Sequence, residues 1–396
     1  MQLKHISTFS FAETGEENAK ALPGWAEPEQ GVRWPQGRSS RLVLPRAFFS
    51  GDALSGDLLL LLEVLPFLAP PLLTKQTLRV RVNGVTQRLV FLSNQTGVSI
   101  YVSAALAAQR PDLELEFDHP DVVRLDLISA SQEARERSVG FRALTILEAL
   151  IRPTPPLAVE KLPPPPPEEE LSDDVLAAYF LSIGDNCEFG MMQRQAGAEP
   201  MDLLRFTGIG LPGLALGLRE GFAQVKSPNT IDIELYPFKP RGEYVVVSRP
   251  YNFLTHTGQF EGDMEMLRLY MRELKKLALM QRLFMEDLAS GHRILVFKNN
   301  NLTDRSDITP ILNGISAHGP AVLLHVVHDE TGNRVGQVEQ VGPSYLRGYI
   351  DKFSPYDAAS LPPSPVWSEI CRRAYTIWRA GLLSNSAGGA RCADVS

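Results

Sequence analysis

The stretch that decides the fold, residues 181–209, reads LSIGDNCEFGMMQRQAGAEPMDLLRFTGI. An apolar run over Ala177–Ile183 leads into it and ends at a glycine, which is typical of a buried strand followed by a turn. Asp185 and Asn186 are good helix N-caps, so the sequence predicts a helix over Glu188–Ala196. Strand, turn and helix in this order indicate the start of an α/β unit.

This spacing places Cys187 at or next to a helix N-terminus, just past the carboxyl end of a strand. Open α/β sheets have their ligand crevices there, and a helix N-terminus favours the thiolate over the thiol. Cys187 is therefore a candidate nucleophile, and Asp185, Asn186 and Arg205 are candidate binding residues beside it. The neighbouring Glu188 works against the thiolate. The alternative is an Asx-capped turn in which Cys187 is a small buried residue.

Composition and one linker indicate two domains. The chain has 396 residues, 44% of them apolar, and a formal net charge of −7. This is a soluble globular composition, long enough for two domains. The proline-rich, acidic segment 153–171 predicts a stiff, extended linker. We therefore expect one domain over 1–152, a second over 172–385 and a flexible tail over 386–396.

The first domain reads as β structure because short runs of strand-forming residues follow one another. Asn83-Gly84 between two of these runs is a strong hairpin signal. Many short strands at this spacing predict an antiparallel β-sandwich, jelly-roll-like in form. The runs are Leu58–Val64, Thr77–Val82, Gln87–Leu92, Ser99–Val102, Leu113–Phe117 and Val122–Ile128.

A tryptophan-containing segment precedes these strands and reads GWAEPEQGVRWPQG over residues 24–37. Trp25 and Trp34, with Glu29 on a polar rim, are candidate binding residues for a sugar stacked on an aromatic platform. The alternative is that both rings close one end of the sandwich, as large aromatic side chains usually do.

The second domain alternates between strands and helices, which predicts a mostly parallel sheet in a three-layer α/β sandwich. A cysteine nucleophile needs a base and a group that orients the base. His256, in a Thr-His-Thr-Gly segment predicted as a loop after a strand, is the candidate base. Asn299, just after the predicted buried strand Arg293–Phe297, is the candidate orienting group, with Asn300 and Asp304 as alternatives. The alternative for His256 is an ordinary loop or surface histidine.

One long predicted helix, Glu261–Ala289, is distinctly basic. Arg268 and Arg272 on it are candidate binding residues for a phosphate or an acidic glycan. The alternative is a solvated face on which arginine and lysine pair with Glu265 and Glu273 along the helix.

The motifs of the second domain resemble a bacterial family of unknown function described as papain-like cysteine peptidases. The resemblance covers roughly residues 175–330 and rests on SIGDNC, LLRFTGI, a histidine after a central hairpin, and RILVFK. It implies a Cys–His site. The chain departs from the family's Phe-Asp-Trp-like triplet, because it has Phe206-Thr207-Gly208 there. A strand ending in Gly-Asp-Asn is only loosely similar to SGNH-type esterases, whose serine is replaced here by Asp185 or Asn186.

Most of residues 20–150 resemble an accessory β-sandwich found beside polysaccharide-related glycosyltransferase domains in bacteria. GWAEPEQGVRWPQGRSSRLVLP, the VRVNG hairpin and GFRALTI carry this resemblance. It implies a glycan or polysaccharide as the partner.

Several classes of protein are disfavoured. The acidic composition gives no footprint for nucleic acid, and the apolar run Leu58–Leu73 is too interrupted by Glu63 and prolines to span a membrane. Three cysteines and an N-terminus without a signal peptide lead us to expect a cytoplasmic location, while a surface or assembly-associated one stays open. Without a P-loop, a dinucleotide fingerprint or zinc-ligand spacing, we expect no cofactor and no metal. Homo- or hetero-oligomer formation stays open.

Two classes of function follow from these observations. The first is a surface-polysaccharide-associated enzyme, a hydrolase or acyltransferase with Cys187, His256 and Asn299 in its site. The second is a non-catalytic carbohydrate-binding or structural protein, with a role in assembly or in polysaccharide attachment, whose enzyme-like domain has lost its chemistry.

Overall fold

The chain divides into two compact units, each defined by the contacts among its own residues. The computed structural model describes residues 2–14, 22, 25–45, 48–49, 56–128, 135–150, 165–238, 240–303, 306–356 and 362–391. The first unit comprises Met1–Pro155, Ser227–Val247 and Thr257–Leu274, and the second comprises Pro156–Lys226, Ser248–His256 and Lys275–Ser396. The first unit thus includes two segments that the sequence analysis assigned to the second domain. The limits 1–152 and 172–385 stay a prediction.

Nineteen strands and seven helices lie in the described ranges. The strands are β1 (Gln2–Ser10), β2 (Ser39–Leu44), β3 (Asp57–Pro66), β4 (Gln76–Val82), β5 (Val85–Leu92), β6 (Thr96–Val102), β7 (Leu113–Asp118), β8 (Val123–Arg124), β9 (Glu136–Arg137), β10 (Val139–Leu150), β11 (Phe180–Ser182), β12 (Thr207–Ile209), β13 (Ile231–Tyr236), β14 (Glu243–Ser248), β15 (Phe253–Phe260), β16 (Ile294–Lys298), β17 (Val322–His328), β18 (Val338–Gly342) and β19 (Tyr345–Ile350). The helices are α1 (Ala104–Ala107), α2 (Asp173–Ala178), α3 (Glu188–Gln195), α4 (Leu211–Glu220), α5 (Met266–Ser290), α6 (Thr309–Ser316) and α7 (Val366–Arg391).

Antiparallel strand pairs build the first unit. One sheet has the strand order β2-β7-β4-β5, and six strands of a larger, eight-stranded sheet follow one another in the order β1-β10-β3-β6-β13-β14. In the larger sheet, Leu60 of β3 pairs with Ile146 of β10 on one side and Ile100 of β6 on the other. Apolar side chains of both sheets form one buried core. The antiparallel β structure predicted for the N-terminal part is thus confirmed.

The predicted hairpin at Asn83-Gly84 is also confirmed. These two residues connect β4 to β5, which pair antiparallel. Both have positive φ, 49° and 85°, as the tight hairpin turn requires. Asparagine and glycine tolerate this conformation better than other residues, which is why the pair is a reliable signal.

The first part of the most apolar run of the sequence, Leu58–Leu73, lies in strand β3. Leu60 and Leu62 belong to the shared core, and Leu59 and Leu61 are equally buried although they alternate with them along the strand. Met266, at the start of α5, packs near Leu61 beside Gly97 of β6. A central strand buried on both faces has apolar residues at successive positions, so the run is a strand of the core.

The second unit contains a five-stranded sheet of order β11-β16-β17-β19-β18. Three of its four strand pairs are parallel, and the β18–β19 pair is antiparallel. Helices α2, α3 and α7 contribute side chains to the core of this sheet, where Trp367 is fully buried. Elsewhere in the unit, β12 pairs antiparallel with residues 253–255 of β15. The three-layer arrangement of the helices stays a prediction.

The segment before the Cys187 turn corrects the predicted strand over Ala177–Ile183. Helix α2 ends at Ala178, Tyr179 is its C-cap, and only β11 is strand. Two acidic residues in the first turn stabilise the helix through its dipole. A short apolar run by itself does not distinguish the buried end of a helix from a strand, so the periodicity was ambiguous here.

The predicted linker 153–171 lies partly outside the described residues, which begin again at Pro165. From there the chain packs on α7: Tyr375 Oη donates a hydrogen bond to the Pro166 carbonyl oxygen and Arg379 Nε to that of Pro165, each at 2.8 Å. Glu168–Glu170 form one turn of 3₁₀ helix. This end of the segment is therefore bound to the second unit. Asp304, Cys392 and the last residues of the predicted tail lie outside the described residues.

Candidate functional site

Cys187 stands where β11 passes into α3. The intervening turn follows the end of β16: Ile183 N donates to the Val296 carbonyl oxygen at 2.9 Å, and Asp185 N to that of Lys298 at 3.2 Å. Cys187 occupies the N-cap position, and its carbonyl oxygen accepts the first helical hydrogen bond from Met191 N at 2.9 Å. Its side chain is half-buried. The sequence predicted a helix N-terminus at the carboxyl end of a strand, and the structure has Cys187 at such a position.

A buried lysine anchors the Cys187 turn. Lys298, the last residue of β16, is fully buried, and its Nζ lies 3.0 Å from Asp185 Oδ1 and 3.1 Å from Glu188 Oε2. Its Nζ also donates a hydrogen bond of 2.8 Å to Asn300 Oδ1. A buried ammonium needs such partners because removing it from water is costly. The two carboxylates that flank Cys187 are therefore both paired with one cation.

The carboxylate of Glu188 turns into the core. The Glu188 side chain is fully buried, and its Oε1 accepts a hydrogen bond from Trp367 Nε1 at 3.0 Å. Because Lys298 and Trp367 compensate this charge, it opposes a thiolate at Cys187 less than the sequence suggested. Sequence adjacency placed Glu188 beside the thiol, whereas the helix turns its side chain toward α7.

Asn186 leaves one hydrogen-bond donor unused. Its Oδ1 accepts a hydrogen bond from Glu188 N at 2.9 Å, which identifies the other side-chain atom as Nδ2. That Nδ2 is buried and has no hydrogen-bond partner among the described residues. A buried donor without a partner costs stability, and a functional hydrogen bond next to Cys187 would explain why the protein has one there. Asp185, the other predicted binding residue of the turn, is occupied by Lys298, Asn300 N and Tyr356 Oη.

The structure directs Asn300, rather than Asn299, toward this turn. Asn300 N donates to Asp185 Oδ2 at 3.0 Å, and its Nδ2 donates to the Ser354 carbonyl oxygen at 2.8 Å. Asn299 Oδ1 instead accepts a hydrogen bond from Asn301 N at 2.9 Å, which caps a local turn. Neighbouring asparagines after a strand face different directions, and the sequence pattern does not distinguish them.

His256 lies inside β15, which corrects the predicted loop. Its backbone N donates to the Phe206 carbonyl oxygen at 3.2 Å, and Thr207 pairs with Thr255 in the adjoining ladder. Thr207 and Thr255 bond through their hydroxyls at 2.7 Å on the buried face. Alternation puts His256 and Gly208 on the opposite face.

That face of the ladder turns toward the Cys187 turn. A Cβ built on Gly208 would lie 3.7 Å from the Asp185 carbonyl oxygen. The structure therefore brings β12, the pairing neighbour of the strand that carries His256, to the carbonyl of Asp185, two residues before Cys187. The Phe206-Thr207-Gly208 triplet forms part of this contact through its glycine.

Arg205 is a structural residue. Its guanidinium is buried, donates hydrogen bonds to the carbonyl oxygens of Gly190 at 3.2 Å and Ala198 at 2.8 Å, and pairs with Glu199. Burial lowers the pKa of Arg205, and the pairing with Glu199 opposes this effect. Its Nη1 and Nη2 atoms thus bind α3 and the following turn, whereas its buried Nε has no hydrogen-bond partner among the described residues.

In the first unit, Trp25 closes the core. Its ring lies 4.9 Å from that of Phe141 and 5.3 Å from that of Phe11, measured between centroids, and its Nε1 donates to the Arg41 carbonyl oxygen at 3.0 Å. Trp34 is half-buried, with the Arg137 guanidinium 5.0 Å from its ring centroid. The alternative in which the rings close the sandwich thus describes Trp25.

Glu29 pairs with two arginines of the same unit. Its carboxylate oxygens lie 2.7 Å from Arg135 Nη1 and 2.5 Å from Arg137 Nη2. On helix α5, Arg268 is exposed, and Arg272 donates two hydrogen bonds to the buried carboxylate of Glu273, at 2.9 and 2.6 Å. Glu29 and Arg272 therefore already have partners within the chain. For Arg272 this partner is Glu273, one of the two glutamates that the alternative of a solvated, ion-paired helix face named.

Sequence reasoning missed Lys298, Trp367 and Tyr356. The signal for Lys298 was present, since a lysine ends the otherwise apolar run ILVFK. Trp367 and Tyr356 approach the turn only through the tertiary fold. No group of three or more His, Cys, Asp or Glu side chains that could hold a metal lies within the described residues. Nor does any helix there have the length and apolarity to cross a bilayer.

Comparison with known proteins assigns no family. No family model matches the chain, and no curated protein matches it. Among solved structures, a ruminal GH26 endo-β-1,4-mannanase is 11% identical, with 81% of this chain and 73% of that chain covered and a TM-score of 0.25. The acetyl xylan esterase Est2A of Butyrivibrio proteoclasticus is 8% identical, with coverages of 96% and 99% and a TM-score of 0.23.

A third structure contains the CBM22-1 and GH10 modules of the Clostridium thermocellum endo-1,4-β-D-xylanase 10B, complexed with xylohexaose. It is 9% identical, with 93% of this chain and 97% of that chain covered, at a TM-score of 0.23. We draw neither a fold nor a function from similarities of this strength.

Proposed function

We propose that the second unit is a cysteine-dependent hydrolase or acyltransferase, with Cys187 as nucleophile and His256 as base. The observation that carries this is the position of Cys187: half-buried at the N-terminus of α3, beside the carboxyl ends of β11 and β16. The ion pairs of Asp185 and Glu188 with Lys298 support it, because they hold the turn rigidly and offset one of its two negative charges.

The reaction follows from these groups. His256 takes the proton of the Cys187 thiol, and the sulfur attacks the carbonyl carbon of an ester or amide. Asn186 Nδ2 donates a hydrogen bond to the oxyanion that forms. The carbonyl–leaving-group bond then breaks, His256 returns the proton to the leaving group, and a thioester remains on Cys187. Water or an acceptor hydroxyl, deprotonated by His256, releases the acyl group and regenerates the thiol.

We infer the substrate class and the finer architecture from the two resemblances. The N-terminal resemblance favours a glycan partner, so an acylated surface polysaccharide is the proposed substrate. Asn299 stays in the proposal as an orienting group for His256. We also propose a jelly-roll-like first domain and a three-layer α/β second domain. The competing function is a non-catalytic glycan-binding or structural protein with the same fold.

Hydrolysis of p-nitrophenyl acetate tests the nucleophile and the base. We expect Cys187→Ala to abolish turnover and His256→Gln to lower kcat by about 10²–10⁴-fold, the usual contribution of a general base. His328→Gln is the matched control, since His328 ends β17 on the surface. Unchanged turnover in both site variants would favour the non-catalytic function.

Thiol labelling tests the site independently of any substrate. In a Cys392→Ser background, iodoacetamide at pH 6 should react with Cys187 much faster than with Cys371, because burial raises the pKa of the Cys371 thiol well above its usual range. His256→Gln should slow the labelling of Cys187. Equal labelling of both cysteines would contradict the proposal.

A further inference from the structure

A pocket lies at the end of the five-stranded sheet that is opposite to Cys187. Tyr179 precedes β11 and Arg293 precedes β16, and these strands pair in parallel from Phe180 and Ile294 onward. Both residues therefore mark amino ends of strands, whereas Cys187 follows a carboxyl end. The pocket they line has a volume of about 450 Å³, within the range of small-molecule sites.

The walls of the pocket are aromatic and rigidly held. The rings of Tyr179 and Trp378 lie 6.0 Å apart, and the Tyr375 ring of α7 lies 5.1 Å from that of Tyr179, edge to face, and 5.5 Å from that of Trp378. The hydrogen bonds from Tyr375 and Arg379 to the backbone of Pro166 and Pro165 fix the adjoining rim. Val175 of α2 adds apolar surface.

Hydrogen-bond donors in this pocket lack acceptors among the described residues. Trp378 is 4% exposed, and its Nε1 has no hydrogen-bond partner. The Arg293 guanidinium contacts Asp287 through an ion pair of 3.5 Å, longer than an ordinary hydrogen bond. His292 supplies a further ring nitrogen. A buried indole N–H without an acceptor is costly, so a ligand that supplies an acceptor gains this hydrogen bond.

The pocket contains one ion pair. Burial raises the pKa of Asp287 to about 6, against the lowering effect of Arg293, so this carboxylate is mostly ionised near neutral pH and largely offsets the charge of the guanidinium. One guanidinium with a nearby acid suits a single carboxylate better than a phosphate, which carries more charge.

We propose that this pocket binds a small monocarboxylate with an aromatic or aliphatic body. The ligand carboxylate accepts hydrogen bonds from Arg293 and Trp378 Nε1, and its body packs between Tyr179, Val175 and the Trp378 ring. The site is independent of the function proposed for Cys187.

Calorimetric titration of the full-length protein with 4-phenylbutyrate tests the proposal, with 4-phenylbutanamide and 4-phenylbutylamine as probes of the same shape. We expect saturable binding of the acid in the micromolar to low-millimolar range and weaker binding of the other two. Arg293→Gln should weaken binding of the acid by roughly tenfold or more, and Trp378→Phe, which keeps an aromatic ring, by about fivefold. Arg373→Gln is the control on α7, since Arg373 pairs with Glu369 on the surface.

Three results would overturn the proposal. They are absence of saturable binding of the acid to the wild-type protein, equal or tighter binding of the amine or the amide, and unchanged binding in the Trp378→Phe variant. Circular dichroism of each variant establishes that it is folded. If Arg293→Gln fails to fold, Trp378→Phe decides the outcome.

Discussion

At the scale of the residue, the direction of a side chain decides more than its place in the sequence. Glu188 adjoins Cys187 in the chain, yet its carboxylate contacts Lys298 and Trp367 in the core. Asn300 contacts the Cys187 turn and Asn299 does not, within the described contacts. The backbone conformation of the turn or helix sets the direction of each of these side chains. The residue types alone do not reveal that conformation.

Trp25 and Trp34 should respond differently to truncation. Trp25→Ala removes ring contacts with the core and should cost about 3–5 kcal/mol of unfolding free energy, measured by urea denaturation. Trp34→Ala should cost clearly less, because that ring contacts Arg137 and Phe67 rather than the aromatic rings of the core that surround Trp25. A glycan array with both variants tests the platform hypothesis: loss of binding in a stable Trp34→Ala protein would support it, and equal stability losses would contradict the structural distinction.

At the scale of the element, helix α3 depends on an anchor from another strand. Gln193 Nε2 donates to the carbonyl oxygens of Ala177 at 3.0 Å and Phe180 at 2.8 Å, which binds the helix to the β11 segment. Lys298 pairs with carboxylates on both sides of its N-terminus. A helix of eight residues has little stability of its own, so tertiary contacts hold it.

Removing this anchor should unfold the site. Lys298→Met leaves Asp185 and Glu188 buried without their cation, and the expected loss is about 3–5 kcal/mol of unfolding free energy. Lys275→Met, on the exposed face of α5, is the control. Adding Glu188→Gln to Lys298→Met should restore part of the loss, which a purely steric effect of the methionine would not allow. Urea denaturation of the wild type, Lys298→Met, Glu188→Gln and the double variant measures this double-mutant cycle.

At the scale of the whole molecule, the division of the chain into units is not sequential. Residues 227–247 belong with the N-terminal strands, and Ile233 of β13 pairs with Gly97 of β6. Around it, Asp232 accepts a hydrogen bond from Ser99 N at 2.9 Å and pairs with Arg88 at 2.7 Å. The first unit is therefore built from segments on both sides of the proline-rich stretch.

Limited proteolysis tests this organisation. Cleavage between Thr154 and Leu171 should leave the two fragments associated in size-exclusion chromatography, because β13 stays paired with β6 across the cut. Separation in denaturant should follow. Two fragments that elute apart and remain folded would instead support the predicted limits 1–152 and 172–385.

The stability of the protein should fall in mild acid because of His119. This residue is fully buried and its ring nitrogens lie 3.0 Å from the hydroxyls of Ser40 and Ser138. Burial lowers the pKa of His119 to about 4. The unfolded chain binds a proton near pH 6.5 and the folded one does not, so its contribution, about 3 kcal/mol, is complete above pH 6.5 and is lost as pH falls toward 4. In urea denaturation at pH 7 and 4.5, His119→Gln should show a smaller difference than the wild type.

The sequence alone determined the local elements whose signals are local. The Asn83-Gly84 hairpin, the helix that begins after Cys187 and the strand around residues 294–298 follow from turn chemistry, capping residues and an apolar run, because each depends on neighbours along the chain. Only the tertiary structure decided that His256 lies within a strand paired with β12, that Lys298 pairs with Glu188, and that residues 227–247 join the N-terminal sheet. These depend on contacts between residues more than forty positions apart, which a short-range pattern does not encode.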